Sequence, residues 1–387
     1  MKPTTPVPSV VAPCRMADES LQHRSTQVAI FCGGSLASLI QVTPLLRAFR
    51  ERAPHLERFL IARSDTAPLL IGTPLADRVL ALPRAAWHGG MRAWLPVARM
   101  ARRRVTTMLL DRPTLCGISW DRSPRLARAA GSWMARAEVP HRYGFVREPA
   151  WLFTDVVPDL PPPGRHESMR MRLLLRVLDL PGFECSPDLA LTRGERQRAR
   201  ATLARLGIDV TRPLVAVNPA ADHRLKEWSP GRYAELLSTL PEGVERLVIG
   251  WGRPTRAMRV AQLVRGPAPA IFATRHPREL AAILTRCALL VTGDSDPMHL
   301  AAAVGTPVVA LYGPTDPEWF GPLGGQHQIL RLRLRCSPCA VDDRVPPCPY
   351  GQACLRDLPL EPVRDAVLRA LRSRQAAPIE LEARVPT

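Results

Sequence analysis

Short apolar runs recur along the chain, and most are followed by a stretch whose apolar residues return with helical spacing. Val28 to Cys32 leads into an amphipathic segment from about Leu39 to Arg52, and Phe59 to Ala62, Val79 to Leu82 and Thr107 to Leu110 read as further strands. Helical spacing then covers about Arg170 to Leu180 and Leu191 to Leu206. A second set follows in Leu214 to Val217, Arg246 to Ile249, Ile271 to Ala273, Leu289 to Thr292 and Val308 to Tyr312, with a last helix near Leu360 to Leu371. Strands that are apolar throughout and alternate with helices belong in parallel sheets covered on both faces. The pattern therefore predicts an α/β chain with two alternating halves, at 27–185 and 186–358. Open parallel sheets bind ligands at the carboxyl ends of their strands, so the loops leaving those strands are where chemistry should be sought.

One such loop stands out. Val291 to Pro314, VTGDSDPMHLAAAVGTPVVALYGP, reads as strand, tight turn, helix and strand. Pro297 suits the first helical turn, where its missing N–H costs nothing, and Gly305-Thr306-Pro307 ends the helix before the next apolar run. The unpaired amides and positive dipole end of such a helix suit a phosphate, although an ordinary crossover without ligand has the same pattern. Composition adds a second signal. Of 53 basic residues only Lys2 and Lys226 are lysine. Lys226 sits between the strand end at Asn218-Pro219 and a helix start at Ser229-Pro230. A compact ammonium on a flexible stem makes a point contact to phosphate where the broad guanidinium fork would not fit.

These segments resemble glycosyltransferase family 9, the ADP-heptose:lipopolysaccharide heptosyltransferases. The resemblance rests on Asp294-Ser295-Asp296-Pro297-Met298-His299-Leu300 continuing to Gly313-Pro314-Thr315, on Asn218-Pro219 with Lys226 and Trp228, and on Thr43-Pro44-Leu45-Leu46-Arg47-Ala48. It implies a GT-B fold, two Rossmann-like domains with parallel sheets facing a central cleft, in which a helix at 359–374 crosses back to the first half. It also implies that the first domain takes the acceptor and the second the nucleotide sugar. Donor binding would fall to Lys226 at the diphosphate, to the amides after Asp296, to Ser295, and to Asp294 at the sugar hydroxyls, with Asn218, Met298 and His299 alongside. The implied reaction is transfer of a sugar, heptose from ADP-heptose, to a lipopolysaccharide core or related glycan hydroxyl with inversion and no cofactor. A non-catalytic sugar-nucleotide or glycan-binding homologue and a protein-directed heptosyltransferase remain as alternatives.

Three positions depart from the family pattern. Ala37-Ser38 stands where relatives carry a Gly-Asp pair whose carboxylate is the proposed base. A serine cannot take that proton at neutral pH, and general-base help contributes roughly 10²- to 10⁴-fold. Ser38 reads as a helix N-cap, and Asp111, then Asp65, become the candidate bases. Asp296 replaces a glycine and, as an N-cap, would hold the amides a diphosphate needs; repulsion at ~5 Å and an effective dielectric of ~20 is on the order of 3 kcal/mol. Arg256, where relatives often have an acid, is expected with Arg253 to neutralise Asp296 or to meet an extra charge on the donor.

The formal charge of +18 points to a phosphate-bearing partner, but 5% aromatics and the lack of any recognisable motif argue against nucleic acid. Anionic lipid head groups suit it as well. Basic residues Arg92, Arg99, Arg102, Arg103 and Arg104, with Trp94, Leu95 and Met100, outline a helix that could lie on the inner membrane, or simply a packed helix with a solvated face. Residues 1–26 lack a signal-peptide core and, like 375–387, read as a tail; no apolar span crosses a membrane, which leaves a cytoplasmic expectation. Cys14, Cys32, Cys116, Cys185 and Cys287 are scattered, whereas Cys336, Cys339, Cys348 and Cys354 cluster with spacing that could hold structural zinc or iron, or simply be four reduced thiols. The resemblance adds weight to iron, which related autotransporter heptosyltransferases hold through cysteines.

Overall fold

The computed structural model describes residues 26–87, 96–121, 123–145, 150–157, 166–180, 182–341 and 344–375. The chain divides into two compact units, Met1–Cys185 and Ser186–Thr387. In the first, strands β1 (Gln27–Cys32), β2 (Glu57–Arg63), β3 (Arg78–Leu82), β4 (Thr114–Ser119), β5 (His141–Gly144) and β6 (Asp155–Val156) form one parallel sheet in the order β3-β2-β1-β4-β5-β6. Helices α1 (Leu36–Gln41), α2 (Thr43–Arg52), α3 (Pro96–Leu110), α4 (Pro124–Arg136) and α5 (Glu167–Val177) accompany it. Every residue of β1 is buried, as a central strand flanked on both sides requires. Phe31, Phe59 and Ile61 pack with Trp87, Trp133 and Met134 in its core.

The second unit repeats this topology. Its strands are β7 (Leu214–Asn218), β8 (Glu245–Ile249), β9 (Ala270–Phe272), β10 (Leu289–Gly293), β11 (Val308–Tyr312) and β12 (Gln328–Arg331), again all parallel, in the order β12-β11-β10-β7-β8-β9. Its helices are α6 (Arg193–Arg205), α7 (Pro230–Ser238), α8 (Pro254–Leu263), α9 (Pro277–Leu284), α10 (Asp296–Ala303), α11 (Pro317–Phe320), α12 (Ala353–Arg356) and α13 (Leu360–Gln375). In each sheet the first strand lies beside the fourth, and strand order reverses there. That reversal opens a crevice at the carboxyl ends of β1 and β4, and another at those of β7 and β10.

Several expectations need correcting. Thr107 to Leu110, read as a strand, ends α3, whose Ala98, Ala101, Val105 and Leu109 return at helical spacing and are buried while Thr107 and Leu110 are not. A four-residue apolar run cannot by itself tell the two apart. The strand is the next segment, β4, whose apolar signal Thr114, Gly117 and Ser119 dilute. The helix expected from Leu39 to Arg52 is two helices meeting at Val42, with Pro44 in the first turn of the second. Helix α13 buries Val363, Ala366, Val367 and Leu371 in the second core and groups with that unit. Arg92, Trp94 and Leu95, the tail residues 1–25 and 376–387, and Cys14 lie outside the described residues. The visible part of the basic helix, α3, has Arg99, Met100, Arg103 and Arg104 exposed opposite its buried stripe. Among the described residues no helix is long and apolar enough to cross a membrane.

Candidate functional site

At the second unit's crevice, Asn218 ends β7 opposite Thr292 of β10. Its Nδ2 lies within donating distance of Ala220 O (2.7 Å), Thr292 Oγ1 (3.0 Å) and Ser295 Oγ (3.2 Å), tying both strand ends to the turn before α10. Ser295 Oγ also shares a hydrogen bond with Thr292 Oγ1 at 2.9 Å and donates to Gly293 O at 3.2 Å. Ser295 is the N-cap of α10, but its hydroxyl serves the turn and no side chain of the cap residue bonds the helix amides. Asp296, expected as the cap, is the first helical residue. Its carboxylate adds negative charge to the first turn without acting as the cap.

Lys226 reaches the same crevice from a short 3₁₀ turn, Arg224–Lys226. Its Nζ lies 3.2 Å from Asp294 Oδ2 and 3.2 Å from Asp222 Oδ1. The Lys226 and Asp294 side chains are each 10% exposed, whereas Asp222 is 71% exposed. Burial works against the ammonium, but Asp294 and then Asp222 outweigh it and hold Lys226 above the ordinary lysine value. Gly293 makes this approach possible, since a Cβ there would lie 2.5 Å from Lys226 O. Gln352 holds the turn from outside, its Nε2 donating to the carbonyls of Glu227 (2.7 Å), Leu225 (3.2 Å) and Arg224 (3.3 Å).

Arg256 and Arg253 both hold Glu227. Glu227 is fully buried at 0% side-chain exposure, with Arg253 Nη1 at 3.2 Å from Oε1, Arg256 Nη2 bonded to Oε2, and Ala221 N donating to Oε1 at 3.2 Å. This ion pair braces the residue next to Lys226, a role that a lone Glu between Lys226 and Trp228 did not announce. His299 and Met298 are buried in α10, and Tyr312 Oη lies 3.4 Å from Met298 Sδ.

The first unit's crevice does not contain Asp111. That residue closes α3, with its N–H bonded to Thr107 O, and precedes β4, so it stands at the amino end of the sheet. Asp65 does follow β2 at the correct end, but it is exposed and held by Arg63, whose Nε donates to Oδ1 at 2.9 Å. Ser38 lies inside α1; the N-cap is Ser35, whose Oγ accepts from Ser38 N at 3.3 Å. The carboxylate at this crevice is Asp121, just beyond β4, which is 4% exposed. Its Oδ2 accepts from Gly33 N, beyond β1, at 2.7 Å. A charge two residues past a strand is the sequence signal that could have found it.

Cys336, Cys339, Cys348 and Cys354 are free thiols, and burial followed by the neighbouring sulfurs pushes Cys339 and Cys354 up. Among the described residues they do not form a group of three or more side chains able to ligate a metal ion, so structural zinc or iron does not fit them as arranged. Their segment carries Gln352, whose N–H donates to Cys348 Sγ at 3.3 Å, and so buttresses the Lys226 turn. A cavity of about 840 Å³ in the same unit, lined by Glu195, Phe272, His276 and Arg278, includes none of the crevice residues.

Comparison with known proteins bears on all of this. The sequence profile of glycosyltransferase family 9 (heptosyltransferase) matches residues 127–348, more than half of the chain. Lipopolysaccharide heptosyltransferase 2 of Salmonella typhimurium is 25% identical over 305 residues, covering 74% of this chain and 83% of its own length. Lipopolysaccharide heptosyltransferase 3 of Escherichia coli K12 is 23% identical over 294 residues, covering 73% and 81%. Among solved structures, the family 9 glycosyl transferase of Veillonella parvula superposes with TM-score 0.73 at 20% identity over 90% of this chain and 98% of its own. The ADP-heptose lps heptosyltransferase II of E. coli gives 0.71 at 20% identity over 90% and 100%. The fold is GT-B, with one Rossmann-like unit in each half, and the chain belongs to glycosyltransferase family 9, the heptosyltransferases.

Proposed function

We propose that this transferase moves heptose from ADP-heptose to a hydroxyl of a lipopolysaccharide core, with inversion at the anomeric carbon. The observation that carries the reading is the Lys226–Asp294 pair beside the turn into α10, at the crevice where β7 and β10 diverge. The donor diphosphate sits against the first-turn amides of α10 and takes Lys226 as its counter-charge, displacing the exposed Asp222. Asp294 stays on Lys226 and accepts hydrogen bonds from donor sugar hydroxyls. Asn218 and Ser295 keep the turn rigid, so the charges that stabilise the departing diphosphate are in place before reaction. Inversion follows from a single displacement, in which the acceptor oxygen attacks from the face opposite the leaving ADP. The exposed Arg99, Arg103 and Arg104 of α3 offer a surface for the phosphates of a membrane-borne acceptor.

A second reading, a sugar-nucleotide-binding homologue without turnover, is favoured by Ser38 at the position of the family's base. Incubation with ADP-heptose and a heptose-deficient core, following ADP release, separates the two. Release that requires both substrates and is lost in Lys226→Met supports transfer, whereas ADP binding without release under any acceptor supports the second reading.

A further inference from the structure

Ser38 leaves the reaction without its expected proton acceptor, yet the fold brings a different carboxylate to the same place. Asp121 reaches the crevice from β4, the strand next to β1, and Trp120 N bonds Phe31 O, which fixes the two strand ends side by side. Where a Cβ on Gly34 would begin, Ser38 Oγ lies 2.7 Å away and Asp121 Oδ1 lies 2.8 Å away. A side chain at Gly34 would crowd both, and the carboxylate and the Ser38 hydroxyl lie against the same face of this glycine, within a few ångströms of each other. We propose that Asp121 is the catalytic base of this chain, replacing the carboxylate that relatives carry at the position of Ser38; the proposal rests on the transferase reading above.

In the step, the acceptor O–H proton passes to the Asp121 carboxylate while the acceptor oxygen bonds the anomeric carbon. The bond from that carbon to the diphosphate breaks, and ADP leaves with its electron pair. Asp121 is suited to this. Burial pushes its carboxyl up to about 6, against the Gly33 and Gly34 amides and the Arg170 and Arg63 guanidinia. It is therefore ionised at neutral pH yet basic enough to take a proton. The groups facing it from each neighbouring element are Cys32 on β1, Arg63 at the end of β2 with its partner Asp65, and Arg170 on α5 with its partner Glu167. Arg170 lies over the rings of Trp120 and Phe145 and donates to Trp120 O at 3.4 Å, one residue before Asp121. Retaining a serine at 38 also avoids a second carboxylate within a few ångströms of the first.

The test compares wild type, Asp121→Asn and the double variant Asp121→Asn/Ser38→Asp, measuring ADP release against pH and ADP affinity for each. Asn keeps one oxygen to accept from Gly33 N, and a thermal melt of each variant reports its folding. Asp121→Asn should lower kcat about 10²- to 10⁴-fold, leave ADP affinity unchanged and abolish the acid limb near pH 6. The double variant should recover at least tenfold. Turnover by Asp121→Asn within about threefold of wild type, with the acid limb intact, overturns the proposal while the transferase reading stands. No ADP release from wild type sinks that reading, and the proposal with it.

Discussion

The two crevices of this molecule are built on one topology and filled with opposite chemistry. In the second unit a lysine is buried among carboxylates and its charge is reinforced; in the first a carboxylate is buried between glycines and its charge is opposed. Both rely on a glycine that lets a neighbouring segment close in, Gly293 beside Lys226 and Gly34 beside Asp121. A repeated fold can thus separate tasks: the position is set by strand order, and the surrounding charges set which proton or phosphate that position can handle.

The largest effect should come from removing the lysine. Lys226→Met leaves Asp294 buried without its ammonium, and breaking a buried pair costs about 3–5 kcal/mol. ADP affinity should fall at least about a hundredfold by calorimetry, with a lower melting temperature. Next is the pH response of stability. The raised folded value of Asp121 means that its contribution is fully present below its unfolded value of ~4 and is lost as pH rises through about 6. Asp121→Asn should therefore be more stable than wild type at pH 8, by up to about 3 kcal/mol, with the gap closing toward pH 4. Thermal melts across that range check the sign; a variant less stable at pH 8 would show that the buried charge is a structural asset. Lys226 is also raised above its ordinary value, so its charge is constant below ~10, and ADP affinity should stay flat from about pH 8 to 9, where the terminal phosphate is already fully ionised.

Smaller changes sharpen the donor side. Asp296→Gly should tighten ADP about tenfold, since the residue adds charge at the first turn but is not the cap; unchanged affinity would remove repulsion from the account. Asp222→Asn should gain only about two- to threefold, because this exposed carboxylate competes weakly for Lys226.

Much of this was legible in the sequence where local rules agree. The fully buried strands β1, β7, β10 and β11 announced themselves as unbroken apolar runs, and Ser229-Pro230 marks the start of α7, where Ser229 accepts from Arg232 N. Lys226 was visible because arginine had taken almost every other basic position. What stayed hidden depends on contacts distant in sequence. Asp121 meets Gly33 across 88 residues, and Gln352 meets Glu227 across 125. No local pattern encodes either pair, and the apolar run before Asp111 points there instead, although it is the end of α3 and Asp111 stands at the amino end of the sheet. Arg256 illustrates the same limit, since its buried partner Glu227 lies 29 residues away.

The most direct test of the division between the two crevices is ADP binding by titration calorimetry to wild type, Lys226→Met and Asp121→Asn. Lys226→Met should lose at least about a hundredfold in affinity while Asp121→Asn stays within about twofold of wild type. Equal losses in both variants, or none in Lys226→Met, would rule out this division.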